Sequence, residues 1–168
     1  FLNFWTMQGL WVSFTLAAAL AAITTNTRKE LGLWALLGFL IWIAGFTIEV
    51  AADSQKKRFR ANPENKGTFI QSDFWAWSRH PNYFGEITLW VGVALVALVG
   101  LAGWRYVTLV SPVFVFVLLT RISGIPLLET RARKRWGDDP AFVAYTAETP
   151  VLLPRPPRSP RPHPRASP

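Results

Sequence analysis

Four runs of apolar side chains, separated by short and mostly basic connections, constrain this chain more than any other feature. The first run, residues 5–23, contains no charge. The second, 31–52, holds only Glu49, and the third, 83–102, holds only Glu86. The fourth, 106–120, is interrupted by Pro112. It is short for a full span unless it continues through 121–126, where Gly124 and Pro126 would loosen the helix. A bilayer-crossing helix needs about 20 residues at about 1.5 Å each, so the first three runs suffice. They are apolar on every side, unlike the one-sided stripe of a helix on a soluble core. A signal peptide does not fit the first run, which lacks a basic leading segment. The polar turn 24–30 closes it. Within a bilayer the backbone must satisfy its own hydrogen bonds, so the expected fold is all-α. The sequence predicts a polytopic membrane helix bundle of about four transmembrane helices. A C-terminal interfacial helix over 127–136 should leave the membrane and stop at Gly137.

Composition agrees and removes several functions. Only 17% of the 168 residues are charged, against about 25% in a soluble domain. There is no cysteine, and the two histidines, His80 and His163, cannot form a histidine-cluster metal centre, so no metal site is expected. The net charge of +8 raises nucleic-acid binding. The basic residues do not form a stripe with interleaved aromatics, however, and no nucleic-acid partner is expected. Their distribution reads instead as membrane topology. Segment 54–79 carries six Lys/Arg and the region after Thr120 carries nine, against two (Arg28, Lys29) and one (Arg105) in the other connections. The positive-inside bias puts 54–79 and the C-terminus in the cytoplasm, and four spans then place the N-terminus there too. The Arg, Pro and Ala bias with compact loops suggests a bacterial inner membrane. Residues 149–168 hold 8 of the 13 prolines and four arginines. They are expected to form a disordered tail beyond a membrane domain over 1–148.

Two constellations carry chemistry. Glu49, Asp53, Lys57 and Arg60 are spaced to share one helix face where the second run meets its basic connection. Carboxylates at a membrane boundary are costly and usually face a bundle interior or wet cavity. A salt-bridged helix end is one reading. A ligand pocket is the other, with acids for ribose or amide groups and Lys57 and Arg60 for phosphates. The second constellation runs from Trp75 to Glu86 and includes Arg79, His80, Pro81, Asn82 and Tyr83. Pro81 should start an apolar helix, with Asn82 and Glu86 one turn apart on it. Arg79 and His80 would precede its N-terminus, a position that favours anions.

Arg79-His80-Pro81-Asn82-Tyr83-Phe84-Gly85-Glu86 resembles a signature of the steroid 5-alpha-reductase and sterol C14-reductase superfamily of membrane enzymes. Isoprenylcysteine carboxyl methyltransferases share a version of it. The phrases at 45–60, 63–67, 123–129 and 135–137 extend the likeness to the bacterial steroid 5-alpha-reductase-like C-terminal domain over about residues 1–153. The motif alone leaves the cofactor open between NADPH and S-adenosylmethionine. The acid-then-basic stretch 49–60 looks like the reductase branch.

The resemblance implies an NADPH-dependent reductase of a C=C bond in a steroid-like or other lipid enone. The alternatives are an S-adenosylmethionine-dependent methyltransferase and a non-catalytic membrane fragment. It also implies the C-terminal, cofactor-binding half of a longer protein. Matched by position, Asp53, Lys57 and Arg60 would hold the adenosine and phosphates, with Glu49 beside them. Trp75, Arg79, His80, Asn82, Tyr83 and Glu86 would line the ribose and nicotinamide side, and Glu129 and Arg133 would close the pocket. Tyr83 and His80 are the nearby proton-donor candidates. In the resembled enzymes that donor lies on N-terminal helices outside this sequence. No GxGxxG follows a strand, so a Rossmann site is not expected.

Overall fold

A computed structural model describes residues 2–25, 30 and 32–157. The Arg28-Lys29 connection and the tail from 158 onward lie outside the described residues. The described residues form helices and no strand: α1 (Leu2–Ile23), α2 (Leu33–Ala61), the one-turn α3 (Phe74–Trp77), α4 (Pro81–Leu98), α5 (Val110–Val117), α6 (Ile125–Trp136) and α7 (Pro140–Glu148). Three stretches, Leu33–Ala61, Pro81–Leu98 and Gly103–Trp136, are long and apolar enough to cross a membrane, and a shorter apolar stretch lies in α1. Large apolar side chains remain exposed along them, among them Trp34, Phe39 and Phe46 on α2 and Val113 and Phe116 on α5. In water such a surface would aggregate, whereas lipid tails are its natural solvent. The all-helical membrane architecture expected from the sequence is therefore present.

A seam of glycines organises the bundle. Gly38 and Gly45 on α2 face Gly92 and Gly85 on α4, so the two helices run antiparallel with their backbones in contact. A methyl group added at Gly85 would lie 2.6 Å from the Glu49 nitrogen, and one at Gly38 would lie 2.8 Å from the Gly92 oxygen. Neither distance is sterically possible, so only glycine permits this approach. Between apolar helices in lipid, close backbone packing of this kind replaces the hydrophobic drive that is missing there. The seven-residue interval of both pairs keeps the contact on one slowly rotating stripe.

Helix α1 packs on α4 through Ala18 and Ala97, with Leu101 from the connection after α4 completing the buried cluster. The Ser111 hydroxyl donates to the Thr15 carbonyl, tying α5 to α1. The fourth apolar run does continue past Thr120. It opens as a 3-10 segment (Gly103–Leu109), becomes α5, and widens into a π turn over Leu118–Ile122 before Ser123 and Gly124 redirect the chain into α6. Pro126 lies in the first turn of α6, where its missing N–H is harmless.

At the polar end two boundaries differ from those read off the sequence. Helix α2 runs to Ala61, well beyond the apolar run that ends at Ala52, and at 29 residues it is about 44 Å long. That length exceeds the ~30 Å hydrocarbon core of a bilayer. The other difference concerns the tail. Residues 149–155 form a hydrogen-bonded strap and not a disordered extension. Arg79 N–H donates to the Pro150 carbonyl at 2.9 Å, and Arg155 N–H donates to the Trp77 carbonyl at 2.9 Å. The buried Ser78 hydroxyl donates to the Leu152 carbonyl at 2.9 Å. Backbone donors at the α3–α4 junction need partners, and the strap supplies them.

Candidate functional site

The α2 stripe that runs through Gly38, Gly45 and the buried Ala52 continues past the N-terminus of α4. At 100° per residue the same stripe continues through Lys56 and Phe59. These two residues, with Arg60, form one wall of a cavity of about 350 Å³. Its other walls come from Thr68–Ile70, Trp75, Arg79 and His80, α6 and α7. The floor is aromatic: Phe69, Phe142 and Tyr145 form a buried cluster with Trp136 against it. Phe69 meets Phe142 edge-on with ring centroids 5.2 Å apart, a favoured aromatic geometry. The Tyr145 hydroxyl donates to the Trp75 carbonyl at 2.8 Å, and Trp75 Nε1 donates to the Ala52 carbonyl at 3.0 Å. Trp136 Nε1 donates to the Gly67 carbonyl at 2.6 Å, which fixes α6 over the 62–67 turn. Four cations, Lys56, Arg60, Arg131 and Arg135, line the same space. Lys56 Nζ sits 4.5 Å from the centre of a Trp75 ring.

Glu129 binds the inner wall together. One of its carboxylate oxygens pairs with Arg79 Nη1, and the other lies 2.8 Å from His80 Nε2. Arg79 and His80 stand just before α4, as the sequence suggests, and the anion they meet is this carboxylate from α6. His80 is almost fully buried and stacks on Tyr83, with ring centroids 5.7 Å apart and planes 12° apart. Two buried side-chain atoms here have no hydrogen-bond partner: Arg79 Nε and His80 Nδ1. Their residues both line the cavity.

The structure thus brings together Arg60, Trp75, Arg79, His80 and Glu129 of the residues singled out from sequence. Glu49, Asp53, Lys57, Asn82, Tyr83, Glu86 and Arg133 do not line this cavity. The reason is helical phase. Lys57 is one residue, and so about 100°, past Lys56 and is exposed. Glu49, Asp53, Tyr83 and Glu86 form a separate acidic patch on the neighbouring faces of α2 and α4, close enough to interact electrostatically. Asp53 links that patch to the cavity through its interaction with Lys56. Arg133 acts on Glu129 electrostatically from α6. Sequence reading overlooked Lys56, Phe69, Arg131, Arg135, Trp136, Phe142 and Tyr145. Lys56 and Phe59 were accessible in principle, as continuations of the small-residue stripe. Phe69, Phe142 and Tyr145 meet only through the fold and leave no local signal. Among the described residues no cluster of His, Asp or Glu side chains suited to a metal ion is found.

No curated protein and no solved structure matches the chain. A family model does match, over residues 1–149, which covers all seven helices and the start of the strap. This membrane protein belongs to the family described as Protein of unknown function (DUF1295).

Proposed function

We propose that this membrane protein is an NADPH-dependent reductase of a polarised C=C bond in a lipid or steroid-like enone. The observation that carries the reading is the cavity: four cations around an aromatic floor, beside the Arg79-His80-Pro81 junction. Phosphates and a 2′-phosphate call for Lys and Arg, and an adenine or nicotinamide ring calls for aromatic faces. S-adenosylmethionine carries no phosphate and is itself cationic, so it suits this rim less well. The residues therefore fit a phosphorylated dinucleotide. Lys56, Arg60, Arg131 and Arg135 would hold its phosphates, and the aromatic floor would hold a base. Glu49, Asp53 and Glu86 offer acceptors for ribose hydroxyls and not for phosphates.

When bound, the dinucleotide supplies a hydride to the β-carbon of the substrate double bond. The chain's own part is to bind, orient and exclude water. His80 Nε2 is already engaged by Glu129, so that atom does not serve as the proton donor. Tyr83, stacked on His80, retains a hydroxyl for hydrogen bonding. The positive-inside bias opens the cavity to the cytoplasm, where such dinucleotides are found.

Equilibrium binding to detergent-purified protein tests the reading. NADPH should bind more tightly than NADH, and Arg60→Gln or Lys56→Gln should weaken NADPH about tenfold. Binding of S-adenosylmethionine in preference to NADPH would transfer the protein to the methyltransferase class. Binding of neither would leave a non-catalytic membrane protein.

A further inference from the structure

One exposed apolar surface belongs neither to the cavity lining nor to the long apolar helices. Phe74 and Trp77 stand three residues apart on the single turn of α3 and so share a face. Trp75 between them is buried, with its Nε1 bonded to α2. Phe74 and Trp77 are both exposed, Trp77 by 44%. The strap lies directly beside them. Arg155 N–H donates to the Trp77 carbonyl, and the hydroxyl of the next residue, Ser78, donates to the Leu152 carbonyl. Between these two anchors the strap exposes Leu153 by 70%, and Val151 is exposed two residues before it. The fold thus gathers four exposed apolar side chains from two distant parts of the sequence.

Position and charge decide what covers this surface. It adjoins Pro81, the first residue of a helix long and apolar enough to cross a membrane, so it sits where that span begins. Tryptophan favours this depth, at the level of the headgroups. The strap runs directly into residues 155–168, which carry Arg155, Arg158, Arg161 and Arg165 and no acid. Asp73 is the single acid within 73–80. Apolar side chains joined to a run of cations complement an anionic phospholipid, whose acyl chains meet the first and whose phosphate meets the second. A second copy of the chain would bring the same four arginines, and two such surfaces repel. We propose that the α3 turn and the strap form a docking surface for anionic phospholipids of the leaflet they face. Phe74, Trp77 and Leu153 enter the boundary between headgroups and acyl chains, and Arg155 with the three arginines after it holds phosphate groups. In the orientation set by the positive-inside bias, that leaflet is the cytoplasmic one. This contact is independent of the ligand that the cavity takes.

A contact fluorophore on the full chain in lipid vesicles tests this. Leu153→Cys provides one labelling site in a chain without cysteine, at a side chain exposed enough for the fold to tolerate the change. A bimane attached there is quenched by brominated lipid that touches it. In vesicles of phosphatidylcholine mixed with phosphatidylglycerol, each lipid is brominated in turn at the same mole fraction. The association constant for phosphatidylglycerol should be at least about fivefold the larger, the effect of a single arginine at a charged surface. Raising the salt concentration should bring the two constants together. So should Arg155→Gln, Arg158→Gln, Arg161→Gln and Arg165→Gln combined. Equal quenching by the two lipids in the chain with its arginines intact overturns the proposal, since the surface then touches lipid without selecting its charge. Quenching by neither lipid overturns it as well and gives the surface to water or to a protein partner. A preference that survives the four Gln substitutions places the phosphate contact elsewhere and overturns it too.

Discussion

At the scale of single residues, the cap of α3 is strained. Asp73 has φ 54° and ψ −130°, a conformation that side chains with a Cβ rarely adopt. It persists because Phe74 N–H must reach the Gln55 side-chain oxygen on α2 at 3.3 Å, which sets the entry into the α3 turn. Glycine adopts this conformation without the steric penalty. Asp73→Gly should therefore raise the thermal midpoint in detergent, by a stabilisation of about 1 kcal/mol, and Asp73→Val should lower it. Residue-level reading of the sequence succeeds where chemistry is concentrated locally. Arg79, His80 and Trp75 lie within one short motif, and all three reach the cavity. It fails where phase matters. Lys57 completes a charged spacing with Glu49 and Asp53, yet the cavity follows the small-residue stripe and is lined by Lys56. Glu129 lies 49 residues from His80, so a partnership between them has no signature in the sequence.

At the scale of helices, the α2–α4 crossing depends on four glycines. A methyl group at Gly45 would lie 2.7 Å from the Gly85 oxygen, and the groups it meets are backbone and cannot rotate away. Gly45→Ala and Gly85→Ala should each force the helices apart and destabilise the fold by about 1–3 kcal/mol, read as a lower thermal midpoint in detergent. Gly9→Ala is the control. It has open space around its Cβ position and should leave the midpoint unchanged or raise it. The helices themselves were legible, because apolar runs of this length with at most one charge have few alternatives in lipid. Their pairing was partly legible too, since Gly38 with Gly45 and Gly85 with Gly92 repeat at the same interval. The redirection at Ser123–Gly124 was visible only as a Gly and a Pro near the end of an apolar run. The π turn over Leu118–Ile122 that precedes it was not expected from the sequence.

At the scale of the whole molecule, orientation is the quantity that charge decides. The Lys66 end of the bundle carries the basic connection, and Trp104, 79% exposed, lies at the other end, beyond the C-terminus of α4. The chain has no cysteine, so single cysteines report without background. A membrane-impermeant maleimide should label Trp104→Cys on intact cells and Lys66→Cys only after lysis. The reverse pattern would turn the protein over and move the cavity away from cytoplasmic dinucleotides.

The strap over 149–155 also fixes when the site comes into being. Synthesis runs from the N-terminus, and the carbonyls that receive Arg79 N–H and the Ser78 hydroxyl belong to Pro150 and Leu152. Glu129, which aligns Arg79 and His80, is also made long after them. A nascent chain that has inserted α1 to α4 therefore holds an unfinished pocket wall, with donors still facing water. The pocket closes only once the last helices have emerged from the ribosome and folded back. Completion of the bundle and of this cavity wall thus becomes a single late event, and a chain that stalls before the strap is made lacks the wall altogether.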